Sequence, residues 1–344
     1  MIPIEGRYRR VLRLLPAWYR QRWEEDMVEA FLDSVEREDP EETDFVLEYG
    51  RPQWSEVASV AGLAVRLRLV EPAAPPRHRV WGQAVRLAVL AFLLFNSALA
   101  VLHLGFLLWL FGKLPGVPIT VDDMVLYARA DHRSTAMALA ELLWPAAYLA
   151  LLAGNVRPAR LIVALRLLAG VAYVATTPWR SPVGLQEMAE LAIVAALLLG
   201  LVAFAAGGAP RVAVRRWLVA LPVAVVVVAG VLVPAWSAPI AAQWYWLDWP
   251  ALCSLTIVGA AAGHLAVARW RRQPSWSLAL ALLAFTVLAL RLVSLVDYLD
   301  GDYGLMRSTG LAEAAVVLAV AVLLAVRAAR ELRRLPEAPA GIAA

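Results

Sequence analysis

Five ionisable side chains fall inside long apolar runs: Glu141, Arg166, Glu190, Arg291 and Glu313. A charge at the centre of a bilayer costs at least ~2.5–3.5 kcal/mol, so such a residue faces a bundle interior and has a partner. Three kinds of chemistry suit this set: interhelical ion pairs that fix a bundle, a binding site for a polar ligand, or a proton pathway. Arg291 and Glu313 each lie about eleven residues from the middle of the loop between them, at matching depth for a pair. Arg166 and Glu190 are offset by about six residues, roughly 9 Å at 1.5 Å per residue. Arg166 therefore has the alternative of a charge on another helix. Polar neighbours extend the stripe: Arg291, Ser294 and Tyr298 share one helix face, and Glu141, Trp144, Pro145 and Tyr148 another. Pro145 is expected to kink its helix and free a carbonyl, which needs a protein-lined interior.

The elements that position these residues follow from composition. Hydrophobic residues make up 61% and charged residues 17% of the 344 residues, and the mean hydropathy is +0.65. An average soluble domain has about 25% charged residues. The excess is confined to residues 80–330, where eight segments are near the roughly 20 residues that cross a bilayer: 85–111, 134–153, 159–177, 185–207, 217–239, 248–268, 276–298 and 309–329. The fold class is thus all-α, a polytopic bundle of about eight transmembrane helices with a small N-terminal helical domain. The expected domains are a cytoplasmic helical domain over 1–70, a proline-rich linker over 71–84, the membrane domain over 85–330 and a cytoplasmic tail over 331–344. The first 30 residues lack the apolar stretch of a signal peptide, so insertion is expected to start at the first membrane helix.

Loop charge orients the bundle. With the N-terminus in the cytoplasm, the inner loops and tail carry twelve arginines: 157, 160, 211, 215, 216, 269, 271, 272, 327, 330, 333 and 334. The outer loops carry five basic residues: Lys113, Arg129, Arg133, Arg180 and Arg307. Both termini are therefore expected inside, in the inner (plasma) membrane of a bacterium. Trp236, Trp244, Tyr245, Trp246 and Trp249 are expected to form an aromatic belt at the outer interface. Internal similarity adds a possible duplication. ALRLL around Arg166 matches ALRLV around Arg291, and EMAELAIVAALLLGLVA matches GLAEAAVVLAVAVLLA. In each pair a glutamate (Glu190, Glu313) follows the arginine 24 or 22 residues later. Four related hairpins or two parallel four-helix halves would produce this pattern.

Other chemistry is thinly represented. Cys253 is the single cysteine, so no disulfide or cysteine metal cluster can form within the chain. His103 and His264 lack ligand spacing and are expected as hydrogen-bonded histidines. Asp297, Asp300 and Asp302 read as a solvated acidic turn, with a cation site as the alternative. No P-loop, GxSxG, HExxH or dinucleotide fingerprint is present. The expectation is a protein that is not an enzyme and uses no cofactor or metal.

Residues 7–38 have a helical apolar face of Leu12, Leu15, Tyr19, Trp23, Met27, Phe31 and Val35. Pro16 either starts a second helix or kinks one long helix. Arginines 7–22 precede acids 24–39, so two helix faces that pair with each other are expected; a basic helix lying on anionic lipid is the alternative. Residues 1–79 hold 12 Arg against 15 Asp and Glu, which argues against nucleic acid as a partner. Residues 40–51 read as a loop. A third helix is expected from Pro52 to Leu69 with Trp54, Val57, Ala61 and Val65 on one side.

The string YRRVLRLLPAWYRQRWEEDMVEAFLD resembles the start of bacterial membrane proteins that carry a permease-prefix or HAAS-type domain. The matching positions are Tyr8, Leu14-Leu15-Pro16, Tyr19-Arg20, Glu24-Glu25 with Met27, and Phe31; SVAGLAVRLRLVE is similar to the end of that prefix in actinobacterial members. The resemblance covers about 65 residues. It implies a cytoplasmic protein partner, a PadR-type regulator or an ABC component, beside the lipid bilayer. The chain departs from the permease members, with no large domain between its helices and no ATPase motif. A sensor or regulatory membrane protein, whose bundle holds a small molecule or lipid, is the expectation; a transporter or permease component using the buried Glu and Arg residues is the alternative. Oligomeric state is not legible.

Overall fold

The computed structural model describes residues 4–35, 45, 47–69, 75–110, 139–176, 183–204, 213–237, 248–267, 273–296 and 304–335. Every regular element among them is helical. The helices are α1 (Ile4–Leu12), α2 (Ala17–Val35), α3 (Trp54–Leu69), α4 (Pro76–Leu110), α5 (Leu143–Leu152), α6 (Val156–Thr176), α7 (Val183–Gly200), α8 (Val214–Ser237), α9 (Trp249–Ala266), α10 (Pro274–Val296) and α11 (Gly304–Arg333). A 3-10 turn, Leu201–Phe204, ends α7. The chain divides into two compact units, with the boundary after Gly82.

In the first unit Pro16 separates two helices, standing just before the first residue of α2, where its missing N–H costs nothing. The core is Ile4, Tyr8, Leu12, Leu15, Val28, Phe31, Val60, Ala64 and Leu67. Tyr8 stacks on Phe31 with ring centroids 3.9 Å apart. The basic and acidic stretches meet: the Arg9 guanidinium donates to both carboxylate oxygens of Glu25 at 2.8 and 2.7 Å and to Glu5 at 2.9 Å. Arg7 donates to the carbonyls of Tyr49 and Gly50. Residues 47–49 are helical within the stretch expected as loop, half of which lies outside the described residues. The buried face of α3 also differs from the expected one. Trp54 is 87% exposed and Val65 is exposed, while Val60, Ala64 and Leu67 point into the core. An i, i+4, i+7 stripe of small and branched side chains fits closely against α1, and the bulky indole at the helix start does not.

Among the described residues seven helices are long and apolar enough to cross a membrane; the protein is an integral membrane protein with lipid around its helices. The eighth expected crossing is the apolar stretch Leu139–Leu152. At 1.5 Å per residue this spans about 21 Å, against a hydrocarbon core of about 30 Å. Residues 134–138 lie outside the described residues. Helices begin earlier than hydropathy alone suggested. Pro76 and Pro274 each open a helix, so α4 starts inside the stretch expected as linker. Pro145 has no N–H to offer the carbonyl of Glu141, and the helical run from Leu139 is interrupted by a turn at Leu142, which leaves Pro145 in the first turn of α5. Gly154 (φ 81°) closes the tight α5–α6 connection, with Asn155 N donating to Ala150 O at 2.9 Å.

Two three-helix groups form the bundle. In α5–α6–α7, α5 packs on α6 and α6 on α7. In α9–α10–α11 all three pack on one another, around Ile257, Ala261, Ala284, Val317, Ala321 and Leu324. Helix α4 fits between α5 and α7. Val89, Leu90 and Leu93 share a core with Trp144, Tyr148 and Leu197, and Gly200 lets Val89 approach so closely that a Cβ there would lie 2.7 Å from its Cγ2. Among the described residues, helix α8 is attached by a partly buried hydrogen bond, Tyr148 Oη to Trp217 O at 2.7 Å, and by stacking of Trp217 on Trp276. His264 is buried and hydrogen-bonds Ser277 at 2.9 Å; His103 is exposed on α4.

Candidate functional site

Each three-helix group carries one buried arginine, and the acids around it come from the neighbouring helices. Arg166 on α6 is 6% exposed and Arg291 on α10 is 3% exposed. Arg166 stands at the midpoint of its helix and Arg291 in the half of its helix nearest the C-terminus. Their acids stand near helix starts: Glu141 just before α5, Glu190 in α7, Asp248 at the cap of α9 and Glu313 in α11. Consecutive helices of each group pack on one another, so an arginine can meet acids carried by its neighbours.

In the second group the arginine holds two acids. Arg291 Nη1 donates a short hydrogen bond to Asp248 Oδ2, and Nη2 lies 3.1 Å from Glu313 Oε2. Asp248 has a second task, its Oδ1 accepting from Ala251 N at 2.8 Å to cap α9. One carboxylate therefore fixes both the helix start and the guanidinium. Ser294 donates to Arg291 O at 2.8 Å within α10. Gly310 on α11 makes the room: a Cβ there would meet Leu295 Cδ2 at 2.6 Å and Arg291 Nη2 at 3.0 Å. Tyr298, Asp297, Asp300 and Asp302 lie outside the described residues.

In the first group the arginine holds one acid. Arg166 Nη2 donates to Glu141 Oε1 at 2.7 Å, and its guanidinium lies over the Trp144 ring, 5.5 Å from the centroid. Glu190 makes no ion pair with it. Glu190 Oε1 instead accepts a 3.4 Å hydrogen bond from Gln186 Nε2, within electrostatic range of Arg166, Glu141 and Glu187. Helix α7 contacts α10.

The sequence did not single out Asp248. It sits at the edge of an apolar run among tryptophans that read as interfacial, and of the belt residues only Trp236 and Trp249 lie within the described elements. A signal was present. Trp144-Pro145-Ala146 follows Glu141, and Trp249-Pro250-Ala251 follows Asp248. The structure gives both tripeptides the same place, with the proline in the first helical turn and the indole against α4. Phe92 meets Trp144 edge-on at 5.7 Å, and Phe95 stacks on Trp249 at 5.9 Å. Acid, WPA, ALRL and glutamate thus recur in one order on α5–α6–α7 and α9–α10–α11.

Chemically, each arrangement offers a desolvated guanidinium and an excess of carboxylate. It can fix helices, and it can exchange an internal ion pair for a polar ligand. Among the described residues no three His, Cys, Asp or Glu side chains group as metal ligands. No protein-family model, curated protein or solved structure matches this chain.

Proposed function

We propose that the chain is a membrane sensor or regulatory protein. Its N-terminal helical unit contacts a cytoplasmic protein, and its bundle binds a small molecule or lipid at the charge clusters. The observation that carries this reading is the build of the N-terminal unit. It closes a core of its own yet leaves Trp54 87% exposed, with Trp23 and Leu14 also exposed. Exposed aromatics on a small charged module suit a protein contact. The arginine bias of the loops supports cytoplasmic termini in a bacterial plasma membrane. The resemblance to permease-prefix proteins makes a PadR-type regulator or an ABC component the partner class. The test is purification of the full chain, its Trp54→Ala variant and a form lacking residues 1–75 from native membranes. A protein that co-purifies in fixed ratio with the full chain alone supports the reading; equal recovery with all three overturns it.

The repeated order of acid, WPA, ALRL and glutamate favours a second reading, a transporter, since many transporters are built from parallel or inverted repeats with sites between helices. That reading requires flux in proteoliposomes that Glu313→Gln abolishes while the protein still folds.

A further inference from the structure

The two clusters have the same parts in different settings. Arg291 touches both of its acids. Arg166 touches Glu141 alone, although Glu190 occupies the place that Glu313 has in the second group. Two features explain the difference. First, α9 packs directly on α11, which brings Asp248 and Glu313 around one guanidinium, whereas α4 fills the space between α5 and α7 with Val89, Leu90 and Leu93. Second, the residue three before the glutamate is Gly310 in α11 but Glu187 in α7. The glycine lets Arg291 lie against α11; α7 has a long side chain at the corresponding position.

We propose that Arg166 is a two-position cation. It is bonded to Glu141 in the setting described here and passes to Glu190 in a second setting. The carboxylates that compete for it lie on different helices, and α7 is already seated on α6: a Cβ on Gly170, one turn beyond Arg166, would lie 2.7 Å from Leu191 Cδ2 and 3.3 Å from Arg166 Nη1. The transfer is therefore a swing of the guanidinium across Gly170 toward Glu190, the neighbour of Leu191. Departure from Glu141 would also take the guanidinium off the Trp144 ring, which gives the change an optical signature. The inference is independent of whether the chain senses or transports.

The test uses the full chain in detergent, with Glu141→Gln, Glu190→Gln and the double variant, each also in a Trp144→Phe background. If one acid can replace the other, each single variant lowers Tm by a few degrees. The double variant then loses far more than the sum of the two, or fails to fold while both singles fold. Glu141→Gln shifts the Trp144 contribution to the emission, read as the difference from the Trp144→Phe protein, and Glu190→Gln leaves it unchanged. Additive losses in Tm, or an unshifted Trp144 emission in a folded Glu141→Gln protein, overturn the proposal.

Discussion

Gly310 lies against the guanidinium of Arg291. A Cβ on residue 310 would sit 3.0 Å from Nη2 and 3.3 Å from Cζ, and 2.6 Å from Leu295 Cδ2. The most buried cation of the bundle therefore depends on a missing side chain on the next helix.

Gly310→Ala should cost about 1–3 kcal/mol, the usual penalty for forcing a methyl into a filled core. It outweighs the gain of up to about 1 kcal/mol from replacing glycine in a helix. Gly259→Ala is the control, since nothing lies within 4 Å of a Cβ there, and it should be neutral or stabilising. Thermal unfolding of the purified protein in detergent separates the two.

Arg291→Met should be far more damaging than loss of the whole cluster. The single change leaves Asp248 and Glu313 facing each other without a cation, a situation that costs about 3–5 kcal/mol. Arg291→Met with Asp248→Asn and Glu313→Gln removes all three charges and should recover most of that loss. The measurement is the fraction of monodisperse folded protein after extraction, followed by Tm.

The N-terminal unit should weaken in alkali through Tyr8. Burial, and then the nearby Glu56, push its hydroxyl above the ordinary value, which is about 10. The neutral phenol is thus favoured in the folded state. Its contribution is fully present below the unfolded pKa and is lost as pH rises from there through the higher folded value. Hydrogen exchange of α1–α3 in the full chain should accelerate above pH about 10, and Tyr8→Phe, which keeps the stack on Phe31, should blunt the change.

Tyr148→Phe tests the attachment of α8. The buried Tyr148 hydroxyl donates to the carbonyl of half-buried Trp217 at 2.7 Å. Interhelical hydrogen bonds in membranes average about 0.6 kcal/mol and reach about 1.7. A loss within that range in Tm measurements is expected, with stronger protease access to α8 than to α10.

The membrane helices were legible because apolar length is a one-dimensional property, and the buried charges because each interrupts such a run. Which charges meet was only partly legible. Loop counting places Arg291 and Glu313 at one depth, but it carries no information on the third helix of each group, so Glu141 and Asp248 were not assigned. Asp248 was hidden for a further reason, since a helix cap and an ion-pair partner look identical at the margin of an apolar run. The buried face of α3 was misread because hydrophobicity favours Trp54, while close packing favours Ala64 and Val60. The break at Leu142 is legible through Pro145, since a proline leaves the carbonyl four residues earlier without its helical partner.

The placement of the acids bears on how the protein is made. Glu141 precedes Arg166 along the chain, and Asp248 precedes Arg291. During synthesis each arginine thus reaches the insertion machinery after a carboxylate that it will bind has already left the ribosome. Neither guanidinium has to enter the lipid ahead of its counter-charge, and the order of translation itself lowers the barrier to building a charged interior.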